Sequence, residues 1–221
     1  MTTPGPDPED LTTRARIRDA ALRHFGEHGY EGATTRAIAE TAGVSPGLLR
    51  HHFGSKQALR EACDAHLVKL ITRINEQVGA ESEATGVNHL AMSMAAIGPY
   101  QRYMARALTE GWAEPVFDAM VQMGEQWLIR LDERRSDPPL ADRRSRAAVG
   151  TAMALAVGLL PKHLSRVLGV DVADEKGAHL LALAVLDVYS HPWLSLEEAA
   201  AHREALDKTR TVRSSKEKSD E

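Results

Sequence analysis

Residues 34–53 of the 221-residue chain read TTRAIAETAGVSPGLLRHHF, and this stretch decides how the N-terminal part folds. Thr34 occupies a helix N-cap position, and the apolar spacing after it predicts a short helix. Gly43 allows a tight turn. Ser45 followed by Pro46 then predicts a second helix, because proline has no N–H to lose at the first helical position. Two short helices joined by such a turn form a helix-turn-helix.

The chain on both sides of this stretch is also helical by pattern. A first helix is predicted over residues 12–28, with Gly29 as a left-handed cap. After Ser55, a long helix keeps a 3.6-residue apolar period as far as Val78. We therefore expect a three-helix domain at residues 11–58.

The second short helix would present small residues at its N-terminal end, which lets a helix enter a DNA major groove ~12 Å wide. Residues 11–60 carry eight basic and four acidic side chains, a net charge of +4 in a chain whose net charge is −4. The candidate base and phosphate contacts are Thr34, Thr35, Arg36, Ser45, Pro46, Gly47, Leu48, Arg50, His51 and Lys56. The alternative is a helical hairpin in an ordinary core, with Arg36 and His51 simply solvated.

The segment FGEHGY at residues 25–30, together with TTRAIAETAGVSPGLLRHHFGSKQAL at residues 34–59, resembles the DNA-binding domain of the TetR family of repressors. The resemblance covers about residues 12–60. It implies an all-α chain, two-fold dimers on palindromic operator DNA and, usually, a small-molecule inducer. That family usually has tyrosine where this chain has Arg50. Arginine can also bind a phosphate, but it cannot supply the stacking or thymine-methyl contact of a tyrosine ring.

Two later helices, predicted at residues 141–168 and 174–189, are apolar nearly all round, and Pro161 should kink the first. An intermolecular four-helix bundle would bury such helices, and the resemblance supports a homodimer through them. Burial within one subunit is the alternative. The candidate interface residues are Ala148, Ala152, Leu155, Ala156, Leu159, Leu181 and Val185.

Methionine and aromatic residues are frequent in the helices predicted between residues 87 and 134, including one at Val87–Ile97. Such residues suit a pocket for an apolar or amphipathic ligand, and core packing explains them equally well. The candidate pocket residues are Met92, Tyr100, Tyr103, Met104, Trp112, Phe117, Met120, Met123 and Trp127. The remaining segments are a disordered start at residues 1–10, a helical ligand-binding and dimerisation domain at 59–206 and a disordered charged tail at 207–221.

The sequence contains no Walker or dinucleotide-binding glycine pattern and no HExxH or CxxC metal-binding pattern, so no cofactor is expected. His24 and His28 lie one helical turn apart and could form a metal pair, but structural histidines are the better interpretation. Cys63 falls on the apolar stripe of the long helix, which predicts a buried, inert thiol rather than a redox sensor.

The first ten residues lack a signal-peptide pattern, and the longest uncharged apolar run, residues 147–160, is shorter than the ~20 residues that span a bilayer. These absences predict a cytoplasmic protein. The helix-turn-helix and the resemblance imply a bacterial protein, not an enzyme, that regulates transcription as a ligand-responsive repressor. The alternatives are an activator, a DNA-binding protein without a ligand, and a small helical enzyme or metal-binding protein that uses the histidines.

Overall fold

The computed structural model describes residues 8–81, 98–191 and 193–217, and every regular element in these ranges is helical, which confirms the all-α prediction. The predicted helix Val87–Ile97, including Met92, lies outside the described residues. The α-helices within them are α1 (Pro8–Gly32), α2 (Thr35–Thr41), α3 (Pro46–Phe53), α4 (Lys56–Glu81), α5 (Gln101–Thr109), α6 (Glu114–Asp132), α7 (Arg143–Leu159), α8 (Pro161–Leu168), α9 (Glu175–Ser190) and α10 (Leu196–Glu217). A short 3₁₀ helix, Gly98–Tyr100, precedes α5.

The first helix starts earlier than predicted. It begins at Pro8, so the expectation of disorder over residues 1–10 is wrong for its last three residues. A proline followed by two acidic residues suits the first turn, where no N–H is needed and negative charge is favoured. Regular helix stops at Gly29, whose φ of 74° and ψ of 173° are open to glycine but differ from the αL cap expected there.

The chain divides into two compact units, Met1–Leu164 and Ser165–Glu221, and the division does not follow the helix-turn-helix. In the first unit, one apolar cluster runs from α1, α2 and α3 through α4 into α5 and the start of α6. The expected boundary between residues 58 and 59 falls inside α4, which continues without a break. Helices α1–α4 and α5 therefore share one core.

The predicted kink at Pro161 is confirmed. α7 ends at Leu159, α8 begins at Pro161, and the two helices are bent by 66°. At its other end α7 is tied to α6, because the Arg146 guanidinium donates two hydrogen bonds to Asp132, at 2.8 and 2.7 Å. In the described ranges no single helix is long and apolar enough to cross a membrane. The bent pair α7 and α8 meets that criterion only when the two are taken together.

The second unit contains α9 and α10. Asp174 caps α9 by accepting from the Gly177 N–H at 2.6 Å, and Ser195 and Glu198 form the predicted capping box of α10. This helix continues to Glu217, so the prediction of a disordered tail is wrong for residues 207–217. The sequence lacks an apolar stripe there. The alanines of α10 all precede residue 206, and i,i+4 ion pairs such as Glu204 with Lys208, at 2.7 Å, favour continuation of the helix.

Candidate nucleic-acid interface

Local capping sets the two short helices as the sequence predicts. Thr34 Oγ1 accepts from the Ala37 N–H at 3.2 Å, and Ser45 Oγ accepts from the Leu48 N–H at 3.1 Å. Each hydroxyl keeps its own O–H as a donor. Gly43, with a φ of 67°, makes the turn between the helices in a conformation that other residues rarely adopt.

The candidate DNA contacts lie on the open side of this hairpin. The exposed ones are Thr34, Arg36, Ser45, Pro46, Gly47, Leu48, Arg50 and His51; Thr35 and Lys56 are half-buried. Ile38, Leu49 and Phe53 fill the opposite, buried side. Within the described part of the chain, neither the Arg36 nor the Arg50 guanidinium has a hydrogen bond or ion pair. Two unpaired guanidinium groups beside hydroxyl donors make a surface suited to phosphate and base edges.

Lys56 differs from the other candidates because it already has partners. Its Nζ lies 4.5 Å from the centre of the Tyr30 ring and donates to the Glu31 carbonyl at 3.3 Å. A phosphate contact would have to compete with these interactions. The role of Lys56 in DNA binding stays a prediction.

Sequence reasoning missed Arg14. Its Nη1 donates to the His52 carbonyl at 2.6 Å, and its guanidinium lies 4.4 Å from the centre of the Phe53 ring. Arg14 thus fixes the C-terminal end of α3 to α1. A cation on terminal carbonyls also favours the helix dipole. No spacing rule marks this contact, since 38 residues separate the partners.

His24 and Cys63 both serve packing. His24 Nε2 and Thr41 Oγ1 are 2.7 Å apart, a hydrogen bond that joins α1 to α2. Among the described residues, no three metal-binding side chains come together. Cys63 is fully buried, as predicted, and its burial raises the pKa of the thiol because desolvation disfavours the thiolate.

An aromatic cluster joins α1 to α5 and to the segment after α5. Phe25 and Tyr30 of α1 meet Tyr103 and Trp112, with Tyr103 and Trp112 edge to face at 5.2 Å between ring centres. The buried Tyr103 hydroxyl donates to Asp64 of α4 at 2.7 Å. Burial raises the pKa of Asp64, while this hydrogen bond opposes the rise. Tyr103 and Trp112, predicted to line a pocket, therefore pack the junction instead.

The same junction is unusually close at Gly26. A Cβ atom built there would lie 2.9 Å from the Tyr103 backbone N and 3.1 Å from the Arg102 carbonyl carbon. Arg106 of α5 donates to the Gly26 carbonyl at 3.3 Å. Because the two helices are in such close contact, a displacement of α5 would also displace α1.

The other candidate pocket residues do not form one pocket. Met104 is buried in the core, while Tyr100, Met120 and Met123 pack against it half-buried. Trp127 is 40% exposed and donates to Asn75 Oδ1 at 3.1 Å. Of the candidates that the structure describes, only Phe117 lines an open cavity of about 370 Å³, which lies between α5, α6 and α7.

The candidate dimer residues divide between buried and exposed faces. Ala152 and Ala156 are exposed; Ala148, Leu155, Leu159 and Val185 are half-buried; Leu181 is buried. Sequence reasoning missed an exposed apolar stripe on α9, formed by Leu180, Leu183 and Leu186. On a helix apolar all round, composition cannot tell which face the fold leaves open.

Comparisons with known proteins agree with this geometry. The family model "Bacterial regulatory proteins, tetR family" matches residues 17–63. The HTH-type transcriptional regulatory protein RaaS of Mycobacterium tuberculosis is 36% identical over 140 residues, 62% of this chain and 66% of that protein. The HTH-type transcriptional repressor AcnR of Corynebacterium glutamicum is 51% identical over 47 residues, 21% of this chain and 25% of that protein. The chain thus spans just under two thirds of the first relative and a quarter of the second.

Solved structures extend the likeness beyond the matched N-terminal segment. The fatty acid degradation regulator FadR from Bacillus halodurans superposes with a TM-score of 0.57 at 22% identity, covering 82% of this chain and 97% of that chain. At this identity the likeness concerns the fold, which in both is an N-terminal helix-turn-helix followed by a larger helical region. Residues 17–63 thus match the N-terminal domain of the TetR family of bacterial regulatory proteins, and the relatives and the fold support that family for the chain.

Proposed function

We propose that this protein is a transcriptional repressor that binds a palindromic DNA operator as a homodimer and releases it when a small molecule binds. DNA binding is supported mainly by Arg36 and Arg50, two arginines on the open side of the helix-turn-helix whose guanidinium groups have no partner among the described residues. An exposed guanidinium without a protein partner is free to bind phosphate bidentately or to read guanine. The names of the relatives support regulation, and AcnR is named a repressor.

The dimer is supported by apolar surface that one chain leaves uncovered. Val149 and Met153 of α7 are 60% and 61% exposed, and Leu183 and Leu186 of α9 are each 51% exposed. Contiguous apolar patches on a protein surface mark interaction sites. A second copy places two recognition helices on successive major-groove faces ~34–36 Å apart.

Arg36 and Arg50 take different roles in this proposal. Arg36, at the start of α2, reads a base edge. Arg50, in the last turn of α3, binds a phosphate. A phosphate contact contributes to affinity for every DNA sequence and makes binding salt-dependent, whereas a base contact discriminates between sequences.

The experiment is a fluorescence-anisotropy titration of an operator duplex, and of its single-base variants, at several salt concentrations. Arg50→Ala should weaken all duplexes alike and reduce the slope of log K against log salt by ~0.9 for each phosphate that the protein no longer binds, about twice that for a dimer. Arg134→Ala, an exposed arginine on the segment after α6, is the matched control and should change neither quantity. An Arg50→Ala protein that keeps its salt slope but loses discrimination at one base pair would contradict the phosphate role.

A further inference from the structure

The cavity between α5, α6 and α7 has apolar walls. They are formed by Leu108 of α5, Ala113 and Phe117 at the start of α6, and Ala152, Leu155 and Leu159 of α7. Its volume, about 370 Å³, is in the range of sites for small organic molecules. The walls favour an apolar ligand body, which gains by leaving water.

Two carboxylates border this apolar space. Glu114 and Asp118 lie one helical turn apart on α6 and both line the cavity. Both side chains are exposed, and neither carboxylate has an ion pair or hydrogen bond in the part of the chain that the structure describes. The positive end of α6 accounts for Glu114, which stands in the first turn. It does not account for Asp118, because like charges at i and i+4 destabilise a helix.

We infer that this cavity binds lipophilic cations, with the apolar body of the ligand against Phe117 and Leu155 and its positive charge beside Glu114 and Asp118. The inference rests on the proposed function and names the ligand class of the effector. Charge complementarity determines the sign of the ligand's charge. A cation is attracted by the two adjacent carboxylates, whereas an anion of the same shape is repelled by both.

The position of the cavity suits a ligand that controls DNA binding. Ala152, Leu155 and Leu159 face it from one side of α7, while Val149 and Met153 lie exposed on another side of the same helix. One helix thus contacts the ligand space and carries apolar surface that we assign to the dimer. A ligand that shifts α7 changes the spacing of the two recognition helices.

The test uses two probes of one shape and opposite charge, tetraphenylphosphonium and tetraphenylborate, titrated calorimetrically into the full chain without DNA. The cation should bind at least ten-fold more tightly than the anion. The double variant Glu114→Gln with Asp118→Asn should abolish this preference. The control Glu125→Gln with Glu133→Gln, also on or next to α6 but outside the cavity walls, should retain it.

A variant that fills the cavity, Ala152→Phe, separates cavity binding from surface attraction. It should weaken cation binding at least ten-fold while its thermal unfolding shows an intact fold. The inference is overturned if the cation fails to bind, if both probes bind equally, or if the preference survives in the Glu114 and Asp118 double variant. DNA binding by the ligand-free protein is measured separately. A protein that binds operator but not the cation therefore contradicts the ligand class and leaves the proposed regulator intact.

Discussion

The helix-turn-helix domain buries its apolar side chains, whereas helix α9 leaves several of its leucines exposed. In the first, Ile17, Phe25 and Ile38 are completely buried within one chain. On α9, Leu183 and Leu186 remain half exposed. Burying a leucine side chain contributes ~1.5–3 kcal/mol. In the helix-turn-helix domain this free energy already stabilises the fold, whereas on α9 it is still available for association with a partner. One chain thus completes the core around the helix-turn-helix, whereas the leucines of α9 remain exposed, which is why we assign them to the proposed dimer.

The largest effect is expected when negative charge is placed on the exposed apolar stripe of α9. Leu183→Glu with Leu186→Glu should convert the dimer to a monomer in sedimentation at micromolar concentration. Operator affinity should fall by roughly 10²–10⁴-fold, because the second half-site is no longer held by the first. The control is Leu131→Glu, also at a 51% exposed leucine but on α6, which should remain dimeric. A wild-type monomer, or a charged variant that still dimerises, would refute the assignment.

Within the DNA-binding region, the largest expected loss comes from Arg36→Ala. If Arg36 reads a base, the variant should lose ~1–3 kcal/mol of binding free energy per half-site and tolerate substitutions at one base pair in each. Titration against single-base operator variants measures both. Uniform weakening of all duplexes would instead assign Arg36 to a phosphate.

The junction between α1 and α5 is tested by Gly26→Ala. The added methyl group would meet the Tyr103 backbone, so overpacking should lower the free energy of unfolding by ~1–3 kcal/mol. Gly150→Ala, on α7 with no atom within 4 Å of the built Cβ, is the matched control and should be neutral or more stable by up to ~1 kcal/mol. Thermal and denaturant unfolding compare the two. Equal stabilities would show that the contact at Gly26 is not tight.

The smallest effect concerns Asp64, the buried carboxyl of this junction. The pKa of Asp64 is raised in the folded state, so the protonated carboxyl is favoured there. Its contribution to the free energy of unfolding is therefore lost as pH rises above the unfolded pKa of ~3.9. For Asp64→Asn, the unfolding free energy relative to wild type should therefore increase with pH above ~4 and then level off. Tyr103→Phe removes the hydrogen bond that opposes the rise, so its stability should fall more steeply over the same range. Urea unfolding at several pH values measures both, and parallel curves for all three proteins would contradict this sign.

Local signals made the DNA-binding region predictable from sequence. The caps at Thr34 and Ser45 and the turn at Gly43 depend on residues within four positions, and all three take the predicted form. The contact of Arg14 with the carbonyl of His52 and the close approach at Gly26 could not be predicted, because their partners lie 38 or more residues away. Long-range packing decides such contacts, and no spacing rule describes it.

The C-terminal helices show the other limit of sequence reasoning. Their apolar character predicted an interface, but Leu181, one of the chosen residues, is buried while its neighbours Leu180 and Leu183 are exposed. The exposed face of a uniformly apolar helix is set by its neighbours rather than by its own sequence. The helical extension to Glu217 was missed for the converse reason, since a helix without an apolar stripe resembles a disordered tail.

The central claim is that a dimer reads a two-fold symmetric DNA site, and selection from a random duplex library tests it most directly. The purified wild-type chain should enrich an inverted repeat with half-site centres ~10–10.5 base pairs apart, or a multiple of that spacing, with an even number of chains per site by native mass measurement. A protein that enriches no sequence, or binds an unrepeated site as a single chain, would contradict the account.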